Sequence, residues 1–149
     1  MEAGGQRLLC ALQQVLDALP GRQAVRDDLQ RMVGSGRASR SSFQTAGGAL
    51  FALKRQPPKA QALLVVMGGA DPAREKVLLD PMRLDGSGKT AIDWYRPSPD
   101  GRLVAVSLSK NGSEDGTLHI VRGDTGELLA DRVPRVQYPT GGGSVSWTA

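Results

Sequence analysis

The residues most suggestive of a chemical site lie in the stretch "DGSGKT", from Asp85 to Thr90. A loop ending in Gly-Lys-Thr can wrap phosphate oxygens with backbone N–H groups and present its lysine to them. That arrangement needs a first glycine five positions before the second. Counted back from Gly88 the position is 83, which holds Arg83. The loop must also open a helix facing the phosphate, and here Pro97 and Pro99 come within about two turns. The stretch therefore reads as a polar, Gly-rich turn between strands with an exposed lysine.

Other chemistry is as poorly supplied. Acyl transfer by serine needs a nucleophile on a strained strand-to-helix turn, usually G-x-S-x-G, with a histidine base and an orienting acid. The 149 residues contain no G-x-S-x-G, and the single histidine, His119, sits inside "TLHIV", where it reads as a strand residue rather than a base. The carboxylate pairs Asp27/Asp28 and Glu114/Asp115 are adjacent in sequence and so point apart, which disfavours a general acid and base pair. Cys10, the one cysteine, lies among Leu8, Leu9 and Leu12 and reads as a small buried hydrophobe; no intramolecular disulfide is possible. With one histidine, one cysteine and no clustered carboxylates, neither a metal site nor a cofactor is expected. "NGS" at 111–113 has the form of a glycosylation sequon, but without an export signal it reads as a turn that uses Asn and Gly.

The net charge of +4 is scattered from Arg7 to Arg135 with no aromatic residues interleaved, so a nucleic-acid partner is not expected. The N-terminus begins with an acid, lacks a positive leader and is interrupted by Arg7 and Gln13. It is too broken for a signal peptide or membrane span, and the expectation is a soluble, unexported chain, cytoplasmic by default.

Two amphipathic helices open the chain. From Gln6 to Leu19, Leu8, Leu9, Leu12, Val15, Leu16 and Leu19 recur at three and four, and Pro20 and Gly21 end the pattern. Residues 22 to 33 place Val25, Leu29, Met32 and Val33 on one side, with "GSG" at 34–36 as the stop. This predicts a helical hairpin over 1–40 whose apolar stripes need a cover. Beyond it, short β-rich runs alternate with turns: "ALFALK" (49–54), "ALLVVM" (62–67), "KVLLD" (76–80), "DWYRPS" (93–98), "LVAVSLS" (103–109), "TLHIVR" (117–122) and "SVSWT" (144–148). "SPDGR" at 98–102 is a tight hairpin turn.

These runs repeat. "GGALFAL" (47–53) lies over "DGRLVAV" (100–106), and "ALLVVM" over "TLHIVR", at offsets of 53 and 55 residues; Phe43, Trp94 and Trp147 are spaced by 51 and 53. A period of about fifty residues with four strands each is the pattern of β-propeller blades. Residues 41–149 hold about two. A propeller needs at least four to close, so two blades leave open edges and the chain reads as incomplete.

The run from 78 to 148 resembles the opening blades of the propeller in the prolyl oligopeptidase family of serine peptidases. It carries "DWYRPSPDG", "LSKNGSE", "TGELLAD" and "SWT" in the family's order. The likeness extends upstream through "GGALFALKRQPPKAQALLVVM" and "VLDALPGR", to cover roughly 14–148. It implies a mainly β fold: an N-terminal helical hairpin, then about two four-stranded antiparallel blades of an incomplete seven-bladed propeller. It further implies an enzyme whose propeller caps an α/β-hydrolase domain of the same parent chain and filters short peptides, which are cleaved after proline. The helical hairpin would pack on that domain. Glu114, in "NGSEDG", would lie on the propeller face toward the hydrolase domain, where it can pair with an arginine near the substrate. No catalytic residue of the family falls within this chain, so it is expected to be inactive alone. The alternative is a non-enzymatic β-meander module that pairs through its open strand edges.

Overall fold

A computed structural model describes residues 11–34, 36–69, 71–113, 115–136 and 144–148. They form two compact units, 1–37 and 38–149. In the first, residues 11–17 are helical (α1), a turn occupies 18–21, and α2 spans Arg22–Gly34. Leu12, Val15, Leu16, Leu19, Val25, Leu29 and Met32, the expected apolar stripes, are all exposed. Leu8, Leu9 and Cys10 lie outside the described residues, and so does the Val33 side chain. Short-range polar pairs support the solvent side: Gln23 Nε2 donates to Asp27 at 2.8 Å, and Arg31 pairs with Asp28.

The second unit is built from two four-stranded meanders. β1 (Ser39–Ala46), β2 (Ala49–Arg55), β3 (Leu63–Gly68) and β4 (Glu75–Leu79) make one sheet in that order. β5 (Thr90–Pro97), β6 (Leu103–Lys110), β7 (Thr117–Arg122) and β8 (Leu128–Pro134) make the other. Every pairing is antiparallel. A 3-10 turn (Pro72–Arg74) precedes β4, and a short helix α3 (Pro81–Leu84), capped by Asp80, begins the crossover to β5. "KVLLD" therefore stops as a strand at Leu79, because the Asp80 side chain accepts from the Met82 N–H at 3.0 Å and starts a helical turn instead.

The two sheets are one unit repeated. Phe51 faces Val66 across β2 and β3, and Val104 faces Val121 across β6 and β7, which reproduces the 53- and 55-residue offsets. The aromatic spacing does not follow that register. Trp94 stands opposite Ser107, whose counterpart Lys54 stands opposite Arg40, so Trp94 corresponds to Arg40 and not to Phe43. Phe43 lies instead at the bulge between Ser41 and Gln44. "SVSWT" is the other correction: residues 144–148 are not in a strand, although Trp147 Nε1 donates to the Arg96 carbonyl at 3.3 Å. No further strand lies beside it among the described residues to complete a ladder.

The blades meet through a shared core: Phe51, Leu64, Leu78 and Leu79 of the first with Tyr95, Val104, Val106, Leu108 and Val121 of the second. Each is at most 6 % exposed, and each such side chain contributes about 1.5–3 kcal/mol by leaving water. The hairpin turns interlock at one end. Gly47 N donates to the Pro99 carbonyl at 3.1 Å, and a Cβ on Gly47 would stand 2.1 Å from the Asp100 oxygen, so only glycine fits. On the far face of the first sheet, Ala52, Leu63, Val65 and Met67 form a second buried cluster. Beside it Lys54 and Arg40 both reach Glu75, at 2.5 and 2.6 Å.

Candidate functional site

The stretch 85–90 is a self-contained turn. Asp85 accepts from the Ser87 N–H at 3.0 Å and from Thr90 Oγ1 at 2.9 Å. Hydrogen bonds from Ser87 and then Thr90 hold its carboxyl below the usual range, against a small opposing effect of burial. Gly88 takes φ +73° and its carbonyl accepts from Gln61 Nε2 at 2.8 Å. The turn leads directly into the strand β5, not into a helix, so no ring of N–H groups is presented to a phosphate.

This turn abuts the 110–116 loop. Asn111 N donates to the Lys89 carbonyl at 2.9 Å, and Ser113 N closes a tight turn on the Lys110 carbonyl, also at 2.9 Å. Asn111 and Gly112 both have positive φ, the pairing that a type I′ hairpin turn demands and that Asn-Gly supplies. The "NGS" sequence is thus accounted for by turn geometry. The loop's other end is fixed at Gly116, whose carbonyl accepts from Val136 N at 2.9 Å. A Cβ at 116 would meet Ser107 Oγ at 2.3 Å and Asp93 Oδ2 at 2.9 Å. Asp93 itself accepts from Ser107 at 3.1 Å and Ser109 at 2.5 Å, a polar brace along β5 and β6. The loop is therefore pinned on both sides of Glu114, which lies outside the described residues.

His119 is half-buried on β7, opposite Val106 on β6 and Arg132 on β8. Burial, and after it the positive charges of Arg132 and Lys110, push its pKa down and favour the neutral ring. Its Nδ1 is buried and has no hydrogen-bond partner among the described residues. Among the described residues no group of histidine, cysteine and carboxylate side chains could hold a metal. No helix among them is long and apolar enough to cross a membrane.

Two bulged meanders that repeat at about fifty residues and share a core, joined by one short crossover, are what propeller blades look like in isolation. Residues 11–149 match the family described as the prolyl oligopeptidase N-terminal beta-propeller domain. The chain belongs to this family. No individually curated protein matches it in sequence. Among solved structures it is similar to a prolyl endopeptidase studied for the role of inter-domain dynamics in catalysis and specificity. That likeness has 26 % identity and a TM-score of 0.77, over 84 % of this chain and 18 % of the other. It is also similar in fold to prolyl oligopeptidase B from Galerina marginata, bound to a 25mer macrocyclization substrate, at 18 % identity and a TM-score of 0.66. That match covers 85 % of this chain and 20 % of the other. The apo form of the same fungal protein matches at 19 % identity and 0.58, over 85 % and 20 %. The chain thus spans about a fifth of the length of the structures it matches, and what it resembles is their propeller.

Proposed function

We propose that residues 38–148 form the first two blades of a propeller that caps an α/β-hydrolase domain in a prolyl oligopeptidase-type serine peptidase. The propeller filters substrates, and the parent enzyme cleaves short peptides after proline. The observation that carries this reading is the pair of repeated meanders, matched at 26 % identity and a TM-score of 0.77 to a prolyl endopeptidase. The exposed stripe of α1 and α2 fits packing against the hydrolase domain, since an exposed apolar face of this kind calls for a cover. Glu114, on the pinned 110–116 loop, is the residue we carry to the face toward that domain.

The reading is tested by transplanting these two blades into the 26 % identical prolyl endopeptidase in place of its own. A folded chimera should cleave a chromogenic peptide with proline before the leaving group and leave proline sites in a long, unfolded polypeptide uncut. Cleavage of both at similar rates would show that the blades do not filter. That outcome would leave an interaction module as the better account.

A further inference from the structure

The second blade carries a residue that the first lacks. Ser107 stands opposite Trp94 and Leu108 opposite Ile92, whereas their counterparts in β2, Lys54 and Arg55, stand opposite the consecutive residues Arg40 and Ser39. Asp93 is therefore an extra residue in β5, at a bulge with no partner on β6. The bulge of the first blade lies elsewhere, between Ser41 and Gln44, where the second blade pairs without interruption from Trp94 to Pro97.

A bulge re-aims a side chain, and this one turns the Asp93 carboxylate over β6. There it accepts from Ser107 Oγ at 3.1 Å and Ser109 Oγ at 2.5 Å. Both serines are buried in mid-strand, at 0 and 5 % exposure, on the face of β6 turned away from the shared core. Each hydroxyl thus needs a partner inside the protein. Ser107 has a single hydroxyl proton and two acceptors for it, Asp93 Oδ2 and the Val136 carbonyl at 2.7 Å. Val136 N in turn donates to the Gly116 carbonyl at 2.9 Å, and a Cβ on Gly116 would stand 2.3 Å from Ser107 Oγ and 2.8 Å from the Val136 oxygen. The bulge carboxylate, two buried serines, the end of the 110–116 loop and the segment that leaves β8 form one connected polar network. In the first blade the Ser107 position is Lys54, which pairs with Glu75 on β4 instead.

We propose that Asp93 is a positioning residue: through Ser107 and Ser109 it fixes the 110–116 loop against the segment after β8, and so sets how this loop meets the hydrolase domain. The role rests on the peptidase reading above, in which that loop faces the hydrolase domain. Asp93 acts through its neighbours and not by contact with substrate. Its two oxygens serve one serine each, so the brace is a matter of hydrogen bonds. In Asp93→Asn the amide N–H can donate to Ser107 Oγ, whose own proton then goes to Val136, while the amide oxygen still accepts from Ser109. Asp93→Ala keeps neither bond.

Hydrogen exchange in the 149-residue chain tests the brace without the hydrolase domain. The Val136 amide is followed, with the amides of β2 and β3 as the reference for global opening. Asp93→Ala should speed Val136 exchange by about tenfold relative to that reference, and Asp93→Asn should leave it within about twofold of wild type. If Asp93→Ala does not fold, Ser107→Ala takes its place, since it removes one donor only and should speed Val136 exchange in the same direction. In the two-blade chimera, Asp93→Ala should lower kcat/KM for a proline-containing peptide by about tenfold, and Asp93→Asn should restore it. The loss should largely vanish in a Glu114→Gln background, because both substitutions act through one loop. A wild-type chimera that cleaves short and long substrates alike overturns the peptidase reading, and with it the positioning role, even where exchange shows the brace to be real. Unchanged Val136 exchange in the alanine variant overturns the brace itself, and so does Asp93→Asn behaving as Asp93→Ala does. In a discriminating chimera, an unmoved kcat/KM, or losses that simply add to that of Glu114→Gln, overturns the positioning role alone.

Discussion

The hydroxyl of Tyr95, on the first strand of the second blade, donates to the main-chain carbonyl of Ser42, at the bulge in the first strand of the first blade. The contact is reciprocated when Gln44 Nε2 donates to the Tyr95 carbonyl at 2.8 Å. Tyr95 is 3 % exposed, and its ring is part of the shared core. Tyr95→Phe keeps that ring and removes only the bond, so it should lower stability by about 1 kcal/mol in denaturant titrations. Burial also pushes the phenol pKa well above its usual value near 10. A raised pKa in the folded state contributes stability that is intact below the unfolded value and lost as pH rises past it. Wild-type stability should therefore fall above about pH 10, and that slope should flatten in Tyr95→Phe. An unchanged slope would show that the hydroxyl is not buried as described.

Gly47 and Gly48 separate two causes of glycine dependence. Both have positive φ, +56° and +76°, yet a Cβ at 47 would strike the Asp100 carbonyl and one at 48 meets nothing within 4 Å. Gly48→Ala should cost about 1 kcal/mol, the strain of the left-handed backbone alone. Gly47→Ala adds a clash with main chain that cannot rotate away, and should cost about 3 kcal/mol or more by pushing the two hairpin turns apart. Equal losses in thermal unfolding would refute the interlock of the blades.

Glu75 is a carboxylate with a 10 % exposed side chain between Lys54 and Arg40. Burial alone would raise its pKa, but the hydrogen bonds and charges of Lys54 and Arg40 outweigh that and hold it below the ordinary 4.5. A depressed folded value contributes stability that is present above the unfolded pKa and lost as pH falls through the folded one. Glu75→Gln should therefore destabilise at pH 7 by roughly 1–3 kcal/mol and remove part of the acid slope below about pH 4.5. Equal acid slopes in both proteins would place the charge elsewhere.

The two blades were legible wherever a strand is central to its sheet. β2, β3, β6 and β7 are apolar on at least one face and have partners on both edges, so period and burial agree, and their ends lie within one residue of the sequence reading. Of the four edge strands, β1, "SRSSFQTA", and β8, "LLADRVP", are mostly exposed, and nothing in their composition demands a strand. Their pairing comes from the meander, a tertiary effect absent from local pattern.

The chain alone should not release chromophore from a peptide carrying proline before the leaving group. Its sequence contains no G-x-S-x-G, and an acyl-enzyme needs such a nucleophile. Turnover that survives repurification and is blocked by a serine-directed inhibitor would contradict this.

Glu114 carries the most specific prediction about catalysis. Its loop is tied at one end to the Lys89 carbonyl through Asn111 N and at the other to Val136 N through the Gly116 carbonyl. Fixed neighbours on both sides lower the ordering cost of presenting a side chain to a second domain. If Glu114 pairs there with an arginine near the substrate, partial exclusion of water strengthens a charge-assisted bond that the neutral amide of glutamine cannot replace. In the two-blade chimera, Glu114→Gln should lower kcat/KM for proline-containing peptides by about tenfold, equivalent to about 1.4 kcal/mol, with Tm unchanged. A turn acid facing water would leave kcat/KM within error, and a residue needed for folding would lower Tm instead. Either result would remove Glu114 from the interface between the domains.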